Sequence, residues 1–155
     1  MKFSSDGKNA YVLNELSLTV DAFKWNAKSG KMSHLATVEG LPAKLRNPDI
    51  TNTASEIRIH PSGKFLYTAN RGHNSISVFS IDPKSKIPSR VEIVPAEVEI
   101  PRNFSLDPSG EWLICAGQVS NDVVVFSVDP DSGRLTFLPG SNQPVPGPIC
   151  VLPVN

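Results

Sequence analysis

The loop Asn70–Asn74, with the sequence NRGHN, carries more charge than a turn requires. Gly72 and the two asparagines suit a tight connection, because glycine and asparagine adopt left-handed backbone conformations readily. A turn has no need of a guanidinium or an imidazole. Arg71 and His73 are therefore candidates for chemistry, since arginine binds carboxylate or phosphate in a bidentate manner and histidine transfers protons near neutral pH.

Three further charged residues lie in apolar segments that alternate like strands. Glu56 and Arg58 belong to SEIRI, and Arg102 opens RNFSL. Side chains two residues apart on a strand share a face, so Glu56 and Arg58 point the same way. A carboxylate beside several cations is a set that can activate water and bind an anionic substrate.

An internal repeat determines where these residues lie. Three segments, which begin at residues 3, 59 and 106, share one order of apolar residue, Gly-containing turn, strand, polar loop and strand. Gly7, Gly63 and Gly110 mark the same turn, spaced 56 and 47 residues apart. A repeat of roughly 40 to 55 residues with four strands is typical of β-propeller blades.

The repeat predicts four strands per blade, A to D. Strand A covers 55–59 and 102–106, strand B 64–69 and 111–116, strand C 75–81 and 122–128, and strand D 91–95 and 134–139. The A–B turn carries Pro-Ser-Gly. The C–D turn begins at Asp82, at Asp129 and, in the first copy, at Asn26, whose side chains can cap their own turns.

The predicted fold class is therefore all-β, a partial β-propeller of about three four-stranded antiparallel blades. The blades span approximately 1–53, 54–100 and 101–147, and the first lacks strand A. The tail GPICVLPV resembles strand A of a closing blade. Because propellers need four to eight blades, we expect the chain to be a fragment of one propeller domain.

Antiparallel order places the polar residues together. The start of strand A and the end of strand B share one face of the disc, so we expect Glu56, Arg71, His73 and Arg102 at one mouth of the central channel. Structural alternatives remain open: Arg71 pairing with Glu15 or Glu56, His73 serving only its turn, Glu56 and Arg102 forming an ion pair between blades, and Arg58 acting structurally.

Composition and missing motifs narrow the function classes. Formal net charge is zero, which predicts no nucleic-acid partner, and no apolar run of about 18 residues predicts a membrane span. Nucleophile elbows, zinc motifs and phosphate loops are absent from the sequence, so we predict no metal and no cofactor. Cys115 and Cys150 lie in apolar stretches and are expected to be core thiols. The expected location is the cytoplasm.

Four motifs together resemble a known family: YVLNEL (11–16), NRGHNSI (70–76), PRNFSLDPSG (101–110) and VPGPICV (145–151). They are similar to the C-terminal blades of the lactonase family of seven-bladed β-propellers, which includes bacterial 6-phosphogluconolactonases and fungal carboxy-cis,cis-muconate cyclases. The resemblance covers nearly the whole chain. It implies a ring of seven blades and a channel-mouth site built from a histidine, arginines and a glutamate.

The resemblance implies 6-phosphogluconolactonase-like hydrolysis of a sugar lactone, with a small anionic lactone or carboxylate as substrate. Alternatives are a muconate cyclase and a non-catalytic propeller fragment with a binding role. Glu56, Arg102 and His73 are the predicted catalytic residues, and Arg71, Arg58 and Asn74 are predicted to bind substrate. Glu56 would activate water, and the arginines would hold the anion and the developing oxyanion.

Overall fold

The computed structural model describes residues 1–153, which form three antiparallel sheets. Blade 1 contains β1 (Lys2–Phe3), β2 (Asn9–Asn14), β3 (Thr19–Asn26) and β4 (Lys31–Glu39). Blade 2 contains β5 (Thr53–Ile59), β6 (Phe65–Arg71), β7 (Ser75–Ile81) and β8 (Pro88–Pro95). Blade 3 contains β9 (Pro101–Leu106), β10 (Trp112–Gly117), β11 (Asp122–Val128), β12 (Leu135–Phe137) and β13 (Gln143–Pro144).

Strand order within each sheet follows chain order, so blades 1 and 2 are four-stranded meanders, and blade 3 is a meander in which both β12 and β13 pair with β11. The predicted fold class, a partial β-propeller, is confirmed. A 3₁₀ turn, Ala43–Leu45, lies in the connection between blades 1 and 2. Within the described residues, no helix is long and apolar enough to cross a membrane.

Three details of the strand prediction were wrong. Blade 1 does have a strand A, because Lys2 and Phe3 pair with Tyr11 and Ala10. Strand D of blade 3 is divided into β12 and β13, since the segment between them turns away at Gly140, whose φ is +82°.

The third detail is the tail. Residues 147–153 form no strand, and Val154 lies outside the described residues. The backbone N–H of Val151 donates to Oδ1 of Asn103 at 2.8 Å, so the tail lies beside strand A of blade 3. A strand needs a ladder of backbone partners, whereas the described hydrogen bonds of this segment, from Gly147 to Asn121 and from Val151 to Asn103, are to side chains.

Apolar packing between neighbouring blades forms the core. The largest buried cluster joins blades 2 and 3, and includes Tyr67, Val78, Phe104, Leu113 and Phe126. A second cluster, with Tyr11, Leu66 and Phe79 among its members, joins blades 1 and 2. Successive residues of β6 thus pack against different blades, which explains why this strand is apolar and buried on both faces.

A tyrosine hydroxyl links each pair of adjacent blades. The Tyr67 hydroxyl, on β6, donates to the carbonyl of Gly133 in the C–D turn of blade 3 at 2.9 Å. At the equivalent position in blade 1, the Tyr11 hydroxyl donates to the carbonyl of Lys86 in the C–D turn of blade 2 at 3.0 Å. Burial raises the pKa of both phenols, so the hydroxyls remain protonated donors.

Asx side chains close the C–D turns as the sequence predicts. Oδ1 of Asp82 accepts the backbone N–H groups of Lys84 and Ser85, and Oδ1 of Asp129 accepts those of the corresponding residues in blade 3. Oδ1 of Asn26 accepts two N–H groups of its own turn in blade 1. The amide oxygen of Asn26 therefore caps the C–D turn of blade 1 in the same way that an aspartate carboxylate caps it in blades 2 and 3.

The C–D turns also offer a test of packing between blades 2 and 3. Gly133 and Gly30 occupy equivalent positions with φ of +72° and +65°, but only at Gly133 would an added Cβ meet a side chain, the Phe65 ring at 2.5 Å. We expect Gly30→Ala to lower the free energy of unfolding by about 1 kcal/mol, the cost of a left-handed alanine. Gly133→Ala should cost at least about 1 kcal/mol more, because Phe65 must move. Urea denaturation measures both; equal losses would contradict the packing.

The capping carboxylates predict a pH dependence with a definite sign. Hydrogen bonds from the turn N–H groups and from Ser85 or Ser132 lower the pKa of Asp82 and Asp129 below its ordinary value. A lowered pKa gives stability that is present above about pH 4 and is lost as the pH falls through the folded-state value. The double variant Asp82→Asn/Asp129→Asn keeps the Asn26 type of cap and should flatten the loss of thermal stability between about pH 5 and 3. If thermal stability falls as steeply with pH in the double variant as in the unsubstituted protein, the two capping carboxylates are not the cause.

Candidate active site

A bulge in β5 sets the position of Glu56. The register with β6 shifts between Ala54 and Ile57, so Ser55 and Glu56 lie outside the regular ladder. Bulges re-aim side chains and occur often next to functional sites. Here the bulge brings the Glu56 carboxylate to the strand A edge, where the three blades meet.

Strand A residues of all three blades surround the Glu56 carboxylate. Its Oε1 accepts the backbone N–H of Ile57 at 2.9 Å and lies 4.0 Å from Nζ of Lys2 in blade 1. Its Oε2 accepts hydrogen bonds from Nη2 of Arg58 at 3.3 Å and from Nδ2 of Asn103 in blade 3. The side chain is 15% exposed, so the carboxylate is held in a fixed orientation but reaches solvent.

Arg58 makes a second contact that fixes its guanidinium. Its Nε donates to the backbone carbonyl of Phe104 on β9 at 3.2 Å. Arg58 lies on the same face as Glu56, as the two-residue spacing predicts. The residue therefore joins the Glu56 carboxylate to the next blade, which is the structural role left open from the sequence.

Arg71 turns away from Glu56 and toward blade 1. Its Nη2 pairs with Glu15, and the same nitrogen donates to the carbonyl of Ala54 at 3.2 Å. Pairing with Glu15 was one of the alternatives for this residue. The arginine side chain is 15% exposed and that of Glu15 is 61% exposed, so the pair lies at the rim of the blade interface.

His73 and Asn74 serve their loop. Nδ1 of His73 lies 2.9 Å from Oγ of Ser75, within its own hairpin. Asn74 has a left-handed backbone with φ of +53°, and its Oδ1 accepts the N–H of Ile100, the residue before β9, at 3.0 Å. The Asn74 side chain thus positions the segment before β9.

Arg102 is exposed at the start of β9. Within residues 1–153 its guanidinium has no hydrogen bond or ion pair, so it does not pair with Glu56. It is the predicted site cation whose charge the described part of the chain leaves uncompensated.

Two members of the Glu56 cluster were missed from the sequence, although the repeat contains the signal. Asn103 lies 47 residues after Glu56 and is its equivalent in blade 3, and Lys2 lies 56 residues before Arg58 and is its equivalent in blade 1. Position-by-position comparison of strand A would have identified both. A two-residue strand at the start of the chain is too short to recognise by alternation.

The remaining histidine and cysteine residues do not join the Glu56 cluster. His60 is 8% exposed and bridges blades, with Nε2 3.0 Å from the carbonyl of Gly110. Cys115 is a core thiol as predicted, and burial raises its pKa to about 12. Cys150 is exposed, so the expectation of a second core thiol was wrong. Among residues 1–153, no three His, Cys, Asp or Glu side chains converge as metal ligands.

The arrangement of strands has counterparts among known proteins. The family model "Lactonase, 7-bladed beta-propeller" matches residues 1–153. The chain belongs to this family. It is 37% identical over 151 residues to the 6-phosphogluconolactonase of Bacillus subtilis, a match that covers 96% of this chain and 42% of the relative.

Solved structures agree with this membership. A Lactobacillus plantarum protein superimposes with a TM-score of 0.88 at 30% identity, covering 96% of this chain and 42% of the other. The periplasmic gluconolactonase of Pseudomonas aeruginosa superimposes with a TM-score of 0.85 at 32% identity, covering 95% and 39%. The chain therefore spans about two fifths of the length of these relatives.

The contacts of the two arginines predict different effects on stability. Arg71→Gln introduces the residue found at the equivalent position in blade 3, Gln118, and should lower the free energy of unfolding by about 1 kcal/mol, because the hydrogen bond to Ala54 is lost. Arg102→Ser introduces the blade 2 equivalent, Ser55, and should change it by less than about 0.5 kcal/mol. Chemical denaturation compares them. A larger loss for Arg102→Ser would show that this guanidinium has a structural partner.

Proposed function

We propose that this chain contributes the carboxylate and the cations of a site that hydrolyses an anionic sugar lactone of the 6-phosphogluconolactone type. The observation that carries the proposal is the Glu56 carboxylate, oriented by Arg58 and Asn103 and open to solvent on one side. The relative from Bacillus subtilis bears the name 6-phosphogluconolactonase, which supports this substrate class.

Glu56 acts as the general base in the proposed mechanism. Its carboxylate takes a proton from a water molecule as the oxygen of that water attacks the lactone carbonyl. The carbonyl oxygen becomes an oxyanion, the ring C–O bond then breaks, and the proton passes to the leaving alkoxide. The products are the open-chain acid and its hydroxyl group. Arg58 and Asn103 are positioning residues, because they hold the carboxylate in one orientation.

Arg102 binds the anionic part of the substrate and stabilises the oxyanion. A guanidinium with no partner in the described chain can form two parallel hydrogen bonds to phosphate or to an oxyanion. His73 shuttles the proton toward the leaving oxygen through its Nε2, since its Nδ1 contacts Ser75. The side chains of Arg71 and Asn74 already form hydrogen bonds with Glu15 and Ile100. These two residues therefore contribute to binding by shaping the rim of the site.

Substitution of Glu56 tests the proposal directly. Glu56→Gln keeps the shape and the Asn103 contact but removes the base, so kcat for hydrolysis of 6-phosphogluconolactone should fall about 10²- to 10⁴-fold, with a smaller change in KM. Arg102→Ala should raise KM and lower kcat/KM. The rate is measured by titrating the acid that hydrolysis releases at constant pH, and the sample is the full-length protein.

Glu99→Gln is the matched control, because Glu99 is an exposed carboxylate outside the cluster. Its rate should equal that of the unsubstituted protein. A Glu56→Gln variant with full activity would eliminate Glu56 as the base. If the protein converts carboxy-cis,cis-muconate and does not hydrolyse the lactone, the assigned activity is that of a muconate cyclase and not that of a hydrolase.

A further inference from the structure

A cavity rich in lysine lies between blades 1 and 2, at the end of the blades where the A–B and C–D turns are found. Its volume is about 400 Å³, and its walls include Lys8 and Lys24 from blade 1 and Lys84 and Lys86 from blade 2, together with Asp6 and Asn9. A smaller cavity of about 160 Å³ adjoins it through shared residues. We call the pair of spaces the lysine cavity. Glu56 lies toward the other end of β5.

The positive charge of the lysine cavity is not neutralised locally. The whole chain has 15 cationic and 15 acidic side chains, yet four lysines and one carboxylate line this cavity. Within residues 1–153, no carboxylate lies within ion-pair distance of these four ammonium groups. Asp6 accepts hydrogen bonds from Ser4 and from the backbone of Lys8, and is thus committed to its own turn.

Lys86 is held in the cavity wall despite an unfavourable backbone. Its φ is +62°, whereas the equivalent positions in blades 1 and 3 are Gly30 and Gly133. A left-handed backbone is less favourable for lysine than for glycine, because the lysine Cβ crowds the backbone. The Tyr11 hydroxyl, bonded to the Lys86 carbonyl at 3.0 Å, attaches this turn to blade 1. Among the three blades, this turn position therefore carries a residue other than glycine only where it lines the cavity.

The interface between blades 2 and 3 shows what the same space looks like without a ligand site. There Phe65 occupies the position of Asn9, is 4% exposed, and packs on Gly133 in place of Lys86. Two of the other three cavity lysines are also altered, since Lys24 corresponds to Ser80 and Lys84 to Asp131, whereas Lys8 corresponds to Lys64. One interface is closed by an aromatic ring and carries no lysine excess, and the other is open and basic.

Asn9 supplies a neutral donor to the lysine cavity. It is 6% exposed, and its described hydrogen bonds outside the strand ladder use its backbone groups, with Ser4 as partner. Asn9 lines both parts of the cavity. An asparagine and four lysines around one space are a donor set for a polyvalent oxyanion.

We propose that the lysine cavity binds a small polyvalent anion of the phosphate class, such as inorganic pyrophosphate or the phosphate groups of a small metabolite. Ammonium groups bind phosphate as point charges with rotatable donors, and four of them around one cavity compensate two or more negative charges. Both walls belong to the described chain. The proposal is independent of lactone hydrolysis, since no residue of the Glu56 cluster lines this space.

Titration with pyrophosphate at constant ionic strength tests the site. Calorimetry should show saturable binding to the unsubstituted chain. Lys84→Ala and Lys86→Gly should each raise Kd about five-fold or more, because one of four close charges is removed. Lys86→Gly places the residue of the other two blades at a left-handed position, so folding should be retained or improved. The double variant Asn9→Phe/Lys86→Gly copies the blade 2 and 3 interface and should abolish binding.

Lys28→Ala is the matched control, because Lys28 occupies the position of Lys84 in the C–D turn of blade 1 and does not line the cavity. Its Kd should stay within about two-fold of the unsubstituted value. An equal loss in Lys28→Ala would indicate diffuse charge and overturn the proposal, as would the absence of saturable binding. Weakened binding in Arg102→Ser would assign the anion to the candidate active site and would also overturn it. Circular dichroism melting confirms that each variant is folded.

Discussion

Apolar burial between neighbouring blades is the constraint on which the rest of this structure depends. A four-stranded sheet has two faces and covers neither by itself, so each blade is stable only against another. Blade 2 is covered on both sides, and every residue of β6 from Phe65 to Asn70 is buried. In β10 of blade 3 burial falls on alternate residues at first, because Leu113 faces blade 2 while Trp112 is 39% exposed.

The same packing determines which polar groups meet. Three hydrogen bonds join strand A of blade 2 to strand A of blade 3. Ser55 donates to the Pro101 carbonyl and Arg58 to the Phe104 carbonyl, while the Glu56 carboxylate accepts from Asn103. They follow one another along the two strands, so the blade interface fixes their register. The orientation of the Glu56 carboxylate is therefore a product of the apolar core beneath it, and the bulge at Ser55 and Glu56 supplies the final direction.

Most of the strands could be predicted from the sequence, because the same local pattern occurs in three copies and each copy supports the reading of the others. Alternation in SISVFSI and DVVVFSV gave the bounds of β7 and β11 without error, since both strands lie inside their sheets. Outer and terminal strands were harder. The division of β12 from β13 depends on a single glycine conformation, and β1 is too short to have a pattern.

The site was predicted less completely, for a physical reason. Backbone order specifies which end of a blade a residue occupies, but the direction of a long side chain depends on the partners within its reach. Arg71 lies at the expected end, yet the Glu15 carboxylate in blade 1 and the Ala54 carbonyl bind it away from Glu56. Arg102 has no such partner in residues 1–153 and stays exposed. Cys150, in an apolar run, is exposed because its segment forms no ladder.

The tyrosine contacts have a mechanical consequence. Each connects strand B of one blade with the last turn of the next, so tension between the two ends of the chain passes through the two interfaces in series rather than in parallel. The interface with Asn9 and an open space has less apolar contact to rupture than the one sealed by Phe65 and Gly133. We therefore expect the interface between blades 1 and 2 to separate first under load, while blades 2 and 3 stay together.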